Sequence, residues 1–145
     1  MKKILCHVTI IVMNGLIKST MKLVDEKQFK QLLSSLKIER TIAGGSVANS
    51  IVGLSQLKNE VSFIGKISDD KLGNEYEKGL MDEKVKYYYK KKMESTPTGT
   101  CLILITPDSE RTMCTFLGIA GKISPSDLDE TCIKESKLVF LEGFV

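Results

Sequence analysis

The chain has 145 residues, 42% of them hydrophobic and 27% charged, enough for one domain with a real core and ordinary for a soluble globular protein. Its formal charge of +3 is too mild to argue for nucleic acid or an anionic membrane, and no stretch approaches the roughly 20 apolar residues that cross a bilayer. His7 is the only histidine, and Cys6, Cys101, Cys114 and Cys132 form no Cys-x-x-Cys pair. Zinc and histidine-based chemistry are therefore discounted, and reduced core thiols in a cytoplasmic protein are expected.

Lys3 to Met13, KILCHVTIIVM, is a nearly continuous apolar run of strand length, the pattern of a buried parallel strand. Two lysines before an apolar run also suggest a signal peptide, but no small-residue cleavage site follows. Asp25 can cap a helix through Leu36, with Phe29, Leu32, Leu33 and Leu36 on one face. Gly44 and Gly45 then precede an apolar helical face of Val47, Ala48, Ile51, Val52 and Leu54, in a helix ending near Lys58. Paired glycines at a helix start let backbone approach a ligand, and the exposed N–H groups there favour oxygen-rich ligands. An ordinary turn into a core helix is the plainer reading of a bare glycine pair. The pair is neither a dinucleotide fingerprint nor a P-loop. Asn49, about one turn in, offers both a donor and an acceptor.

Val61 to Ile64 reads as a buried strand, broken by Gly65. Ser68-Asp69-Asp70 supplies caps for a helix to Met81, with Leu72, Tyr76 and Leu80 spaced four apart. Val85 to Lys92, VKYYYKKK, is better read as a strand with a solvated end than as a stacking platform, because consecutive tyrosines alternate faces. Thr100 to Thr106 and Arg111 to Phe116 form a β-hairpin around Pro107-Asp108-Ser109. Ser124-Pro125 is a helix start, and Leu138 to Leu141 is a last buried strand. The order implies an α/β fold, with a partly parallel sheet, flanking helices and a small β lid.

Gly44-Gly45-Ser46-Val47-Ala48-Asn49-Ser50, followed by Phe63-Ile64-Gly65-Lys66-Ile67-Ser68-Asp69-Asp70 and Gly73, resembles the N-terminal signature of PfkB-type, or ribokinase-like, carbohydrate kinases. Ser46 points toward the adenosine-kinase branch. Val47, Ile51 and Lys58 depart from the pattern, which has small residues or proline, small residues, and glycine at those places. Thr98-Gly99-Thr100, Glu110-Arg111-Thr112 and Gly118-Ile119-Ala120-Gly121 resemble the strands that form and adjoin the sugar-site lid, whose strands fall at about 85–117. The resemblance implies substrate binding by Gly44, Gly45, Ser46, Asn49 and Arg111. A guanidinium at Arg111 can reach phosphate or carboxylate bidentately, or can simply be a strand-end surface arginine.

The resemblance runs from about Ile4 to Phe144 but spans only the N-terminal half of a family member, a single incomplete domain over 1–145. The family's first-strand aspartate is missing, since no acidic residue occurs between Met1 and Asn14. So is its Gly-Ala-Gly-Asp segment, which supplies the catalytic base and phosphate-holding amides. ATP and magnesium are implied for the family, with most of their binding residues absent here and no catalytic residue assigned. The expectation is a truncated sugar or nucleoside kinase, inactive alone, with a small-molecule nucleoside or sugar bound weakly. A complementing C-terminal fragment or self-association would cover its open faces. The alternative is a non-catalytic remnant or interaction module that uses its lid strands or an exposed sheet edge.

Overall fold

The computed structural model describes residues 2–5, 15–89 and 95–143. In chain order the elements are β1 (Lys2–Leu5), β2 (Met21–Leu23), α1 (Glu26–Ser34), β3 (Arg40–Thr41), α2 (Ser46–Gln56), β4 (Ser62–Phe63), α3 (Lys71–Asp82), β5 (Lys86–Tyr87), β6 (Thr100–Ile105), β7 (Arg111–Phe116), 3-10 turns at Gly118–Lys122 and Pro125–Asp127, and α4 (Glu130–Glu135). They fall into two units, one of Met1–Ile42 with Gly99–Gly118 and the other of Ala43–Thr98 with Ile119–Val145. The class is the expected α/β, with parallel and antiparallel pairs mixed. The strands between 85 and 117 divide between two sheets: β5 pairs with β4, while β6 and β7 pair with each other.

The first unit is a five-stranded sheet in the order β2-β7-β6-β1-β3. Its centre is the expected hairpin, with Leu102 opposite Cys114 and Leu104 opposite Thr112. Strand alternation turns Leu102, Leu104 and Cys114 to one face, where they are wholly buried and cluster with Phe29 and Leu32 of α1. Asp25 starts α1 through a capping box: the Gln28 amide donates to its carboxylate at 2.8 Å, and the Gln28 side chain accepts from the Asp25 amide. The helix stops at Ser34, two residues before the expected end, and Leu36 packs against the core from outside it. At the hairpin turn Ser109 takes a φ of 65°. Lys18 pairs with Asp108 there, and with the Thr106 hydroxyl it holds the Asp108 carboxyl down at about 2. The continuation of the first strand expected to Met13 lies outside the described residues.

The second unit packs α2 and α3 around Ala48, Leu80 and Val85, with Ile51, Val52, Val61, Phe63, Tyr76 and Tyr87 at the margin. Its sheet is only the parallel pair β4–β5, two residues each. Asp70 is the cap of α3, as its position suggested: one carboxylate oxygen accepts from the Gly73 amide and the other from the Thr98 amide, both at 2.8 Å. Burial alone would raise the Asp70 pKa, but these donors and the Thr98 hydroxyl hold it below the usual carboxylate value. Lys66 and Asp127 form a largely buried ion pair at 3.0 Å, and Asp127 also accepts from the Ser124 amide and hydroxyl. Ser124-Pro125 therefore opens a short 3-10 turn with a capping box; the helix proper follows at Glu130.

The run Leu138 to Leu141 corrects the sequence reading. It is not a strand, and its side chains are exposed by 84%, 49%, 58% and 86%. A strand exists only through its ladder, and no described residue pairs with this one. The short strands β2 and β3 were not anticipated, and Val85 to Lys92 is strand only at Lys86–Tyr87, with 90–92 outside the described residues.

Two measurements check this packing. A Cβ at Gly73 would collide with the Ser68 carbonyl oxygen and sit 2.9 Å from Thr98 Oγ1, whereas one at Gly53 in α2 meets nothing within 4 Å. In urea titrations Gly73→Ala should lose about 1–3 kcal/mol, while Gly53→Ala should be neutral or gain about 0.5–1 kcal/mol. The second is pH dependence. Asp127 has its pKa lowered by the Lys66 ammonium and the Ser124 hydroxyl. A depressed folded-state pKa adds stability that is present above the unfolded carboxylate value and lost as pH falls through the folded one. Asp127→Asn should therefore flatten the acid limb of the stability–pH curve, and an unchanged limb would show that the pair contributes nothing there.

Candidate functional site

The start of α2 is built by backbone conformation before any side chain enters. Gly45 is its N-cap at φ 120° and ψ 139°, a conformation that glycine alone adopts freely. Of the glycine pair, only Gly45 takes a positive φ; Gly44 is half-buried and needs no such freedom. A Cβ on Gly45 would meet only the Ala48 methyl, at 3.9 Å, so nothing crowds the outer side of this turn. No side chain caps the helix, and no acidic residue lies in its first turn. The Gly45 carbonyl accepts from the Asn49 amide at 2.9 Å, closing the first helical turn.

Gly45, Ser46 and Asn49 are all exposed, while Ala48 between them is buried against Leu80 and Val85. The helix is thus anchored by its inner face, and its first turn presents amide donors, a hydroxyl and a carboxamide outward. One group the sequence reading missed joins them. The Ser46 hydroxyl donates to Glu142 Oε1, bringing a carboxylate to the positive end of the helix from 96 residues away. Its position after an apolar run carried no local signal, since nothing adjacent in sequence links it to α2.

Arg111 is an exposed residue at the beginning of β7, opposite Ile105, and makes no ion pair with a described residue. It belongs to the first unit, while Gly44, Gly45, Ser46 and Asn49 belong to the second. Lys66, Ser68, Asp70 and Thr98 hold the second unit together through the contacts already given. Cys101, Cys114 and Cys132 are free thiols; burial pushes the Cys101 thiol pKa up, partly offset by the Thr115 hydroxyl donating to it. That is the setting of an unreactive thiol.

ATP and magnesium find no fitting donors here. Among the described residues no three His, Cys, Asp or Glu side chains gather to hold a metal ion, and no Gly-Ala-Gly-Asp segment occurs in the sequence. No described helix is long and apolar enough to cross a membrane.

Comparison with known proteins gives a consistent result. The family model for pfkB family carbohydrate kinases matches residues 8–145. The 5-dehydro-2-deoxygluconokinase of Mesomycoplasma hyopneumoniae (strain 7448) is 29% identical over 113 residues, covering 77% of this chain and 33% of the relative. That of Clostridium perfringens (strain 13 / Type A) is 34% identical over 105 residues, covering 69% and 30%. The solved adenosine kinase of Sinorhizobium meliloti superposes with a TM-score of 0.83 at 28% identity, covering 93% of this chain and 42% of that one. The chain thus spans about a third of the length of these curated relatives. With the family model matched from residue 8 onward and the fold shared with solved adenosine kinases, the chain belongs to the pfkB family of carbohydrate kinases.

Proposed function

We propose that this chain is the substrate-holding portion of a pfkB-type phosphotransferase fold, and that the start of α2 takes a hydroxyl-rich ligand, a nucleoside or a sugar. The observation that carries this is Gly45: an uncapped, exposed helix start whose one obligatory glycine leaves its outer side open. Gly44 and Gly45 let the ligand meet backbone, the Ser46 hydroxyl and Asn49 carboxamide give donors and acceptors for paired hydroxyls, and the helix end favours oxygen. The relatives' names extend the ligand class to a keto-deoxy sugar acid such as 5-dehydro-2-deoxygluconate. Arg111 is the group we assign to a carboxylate of such an acid.

Binding should be weak, because the first strand carries no acidic residue to accept a hydroxyl proton. Losing a charged acceptor costs about 1.5–3 kcal/mol, roughly ten- to a hundred-fold in affinity. Transfer of phosphate needs more than a held hydroxyl: it needs a base and donors that strengthen toward the transition state. Intact relatives supply those from sequence that has no counterpart here, so the reaction is assigned to the fold as a whole and not to these residues.

Calorimetric titration with adenosine, ribose and 5-dehydro-2-deoxygluconate tests the ligand class. Asn49→Ala should weaken whichever ligand binds by about tenfold, the effect of a net hydrogen bond near 1.4 kcal/mol. Arg111→Ala should weaken the sugar acid and leave the two neutral ligands unchanged. Tight binding indifferent to Asn49→Ala would place the ligand elsewhere. In a labelled-ATP assay with magnesium, the purified 145-residue chain should transfer no phosphate to any of the three; transfer abolished by Asn49→Ala would show that this chain is catalytically sufficient.

A further inference from the structure

Leu138, Val139, Phe140 and Leu141 are exposed on every side chain, the outer two by more than four-fifths. These residue types suit a strand covered on both faces. In strand geometry residues 138 and 140 would face one way and 139 and 141 the other, and neither pair is covered. A second observation points the same way. The sheet of this unit is a parallel pair with two residues per strand, and parallel pairs of that size occur inside larger, doubly covered sheets. Third, the chain accounts for 33% of the Mesomycoplasma hyopneumoniae relative and 42% of the Sinorhizobium meliloti adenosine kinase.

We infer that residues 138–141 are a docking strand, and that its occupant is polypeptide carrying the part of the pfkB fold beyond the region matched here. The occupant adds a strand edge to edge, which orders the run through main-chain hydrogen bonds and covers its alternate side chains. A second copy of this chain fits less well: it would bring the same bare run and the same two-residue strands, without the further strands that finish a sheet. The inference rests on family membership and on the exposed run, not on ligand binding at α2, and the experiment below reads association alone.

The chain contains no tryptophan, so Phe140→Trp introduces a single emission reporter at an exposed position. The probe is the portion of the Clostridium perfringens 5-dehydro-2-deoxygluconokinase that follows its aligned stretch, co-expressed with the full 145-residue chain and also titrated into it. The expected result is co-purification, a blue shift of the single tryptophan saturating at one equivalent, and loss of binding by at least tenfold in Leu138→Lys and Leu141→Lys. Because both leucines are already exposed, these variants should keep the circular dichroism of the free chain, which separates lost docking from lost folding. No shift on addition of the probe, or a shift that both lysine variants leave intact, would overturn the inference. A shift that instead follows the chain's own concentration, with dimer mass by light scattering, would assign the strand to a second copy and overturn it equally.

Discussion

The second unit turns on one carboxylate and one missing methyl. Asp70 receives the amides of Gly73 and Thr98 on its two oxygens, so the start of α3 and the strand approach at residue 98 share a single acceptor. Thr98 in turn receives the Ser68 amide on its hydroxyl at 3.0 Å. The whole knot is tight enough that Gly73 leaves no room for a Cβ beneath the Ser68 carbonyl. From that fixed end α3 carries Tyr76 and Leu80 to the cluster with Ala48, Ile51 and Val52. Ala48 lies on the inner face of α2, one residue before Asn49. The orientation of the candidate site therefore descends from an N-cap more than twenty residues downstream in the chain.

That dependence separates what residues near the site do. Ala48 faces inward and fixes the helix, whereas Gly45, Ser46 and Asn49 face outward and meet whatever arrives. Glu142 adds charge where the backbone donors are concentrated, and its bond to Ser46 gives the helix start an acceptor from the same protein. A ligand hydroxyl entering there meets a hydrogen-bonded pair already in place, not a bare dipole. The buried Lys66–Asp127 pair does a different task, tying the turn after β4 to the 3-10 segment within the same unit.

Much of this was legible locally. Asp25 with Gln28, Asp70 before Gly73, Pro107-Asp108-Ser109, and Ser124-Pro125 each pair a residue type with a backbone need within a few positions, and each sits where that need arises. The glycine pair was legible as a helix start, though only Gly45 uses glycine's freedom. What could not be read depends on distant partners. β2 is three residues long and exists because Met21 to Leu23 lie against Met113 to Thr115, and β3 is two polar residues held by β1. The Glu142–Ser46 bond spans 96 positions. Leu138 to Leu141 failed in the opposite sense: the composition is that of a buried strand, but composition does not say whether a neighbour is there to pair with it.

The central claim, that the start of α2 is where this chain meets its ligand, is tested most directly by residue-resolved amide shifts. Nitrogen-15 spectra of the 145-residue chain would be recorded during additions of adenosine, ribose and 5-dehydro-2-deoxygluconate. Saturable shifts at the Gly45, Ser46 and Asn49 amides, with those of Gly53 and Gln56 at the far end of the same helix unmoved, are the expected result. Saturable shifts confined to other parts of the chain, with Gly45, Ser46 and Asn49 silent, would contradict it.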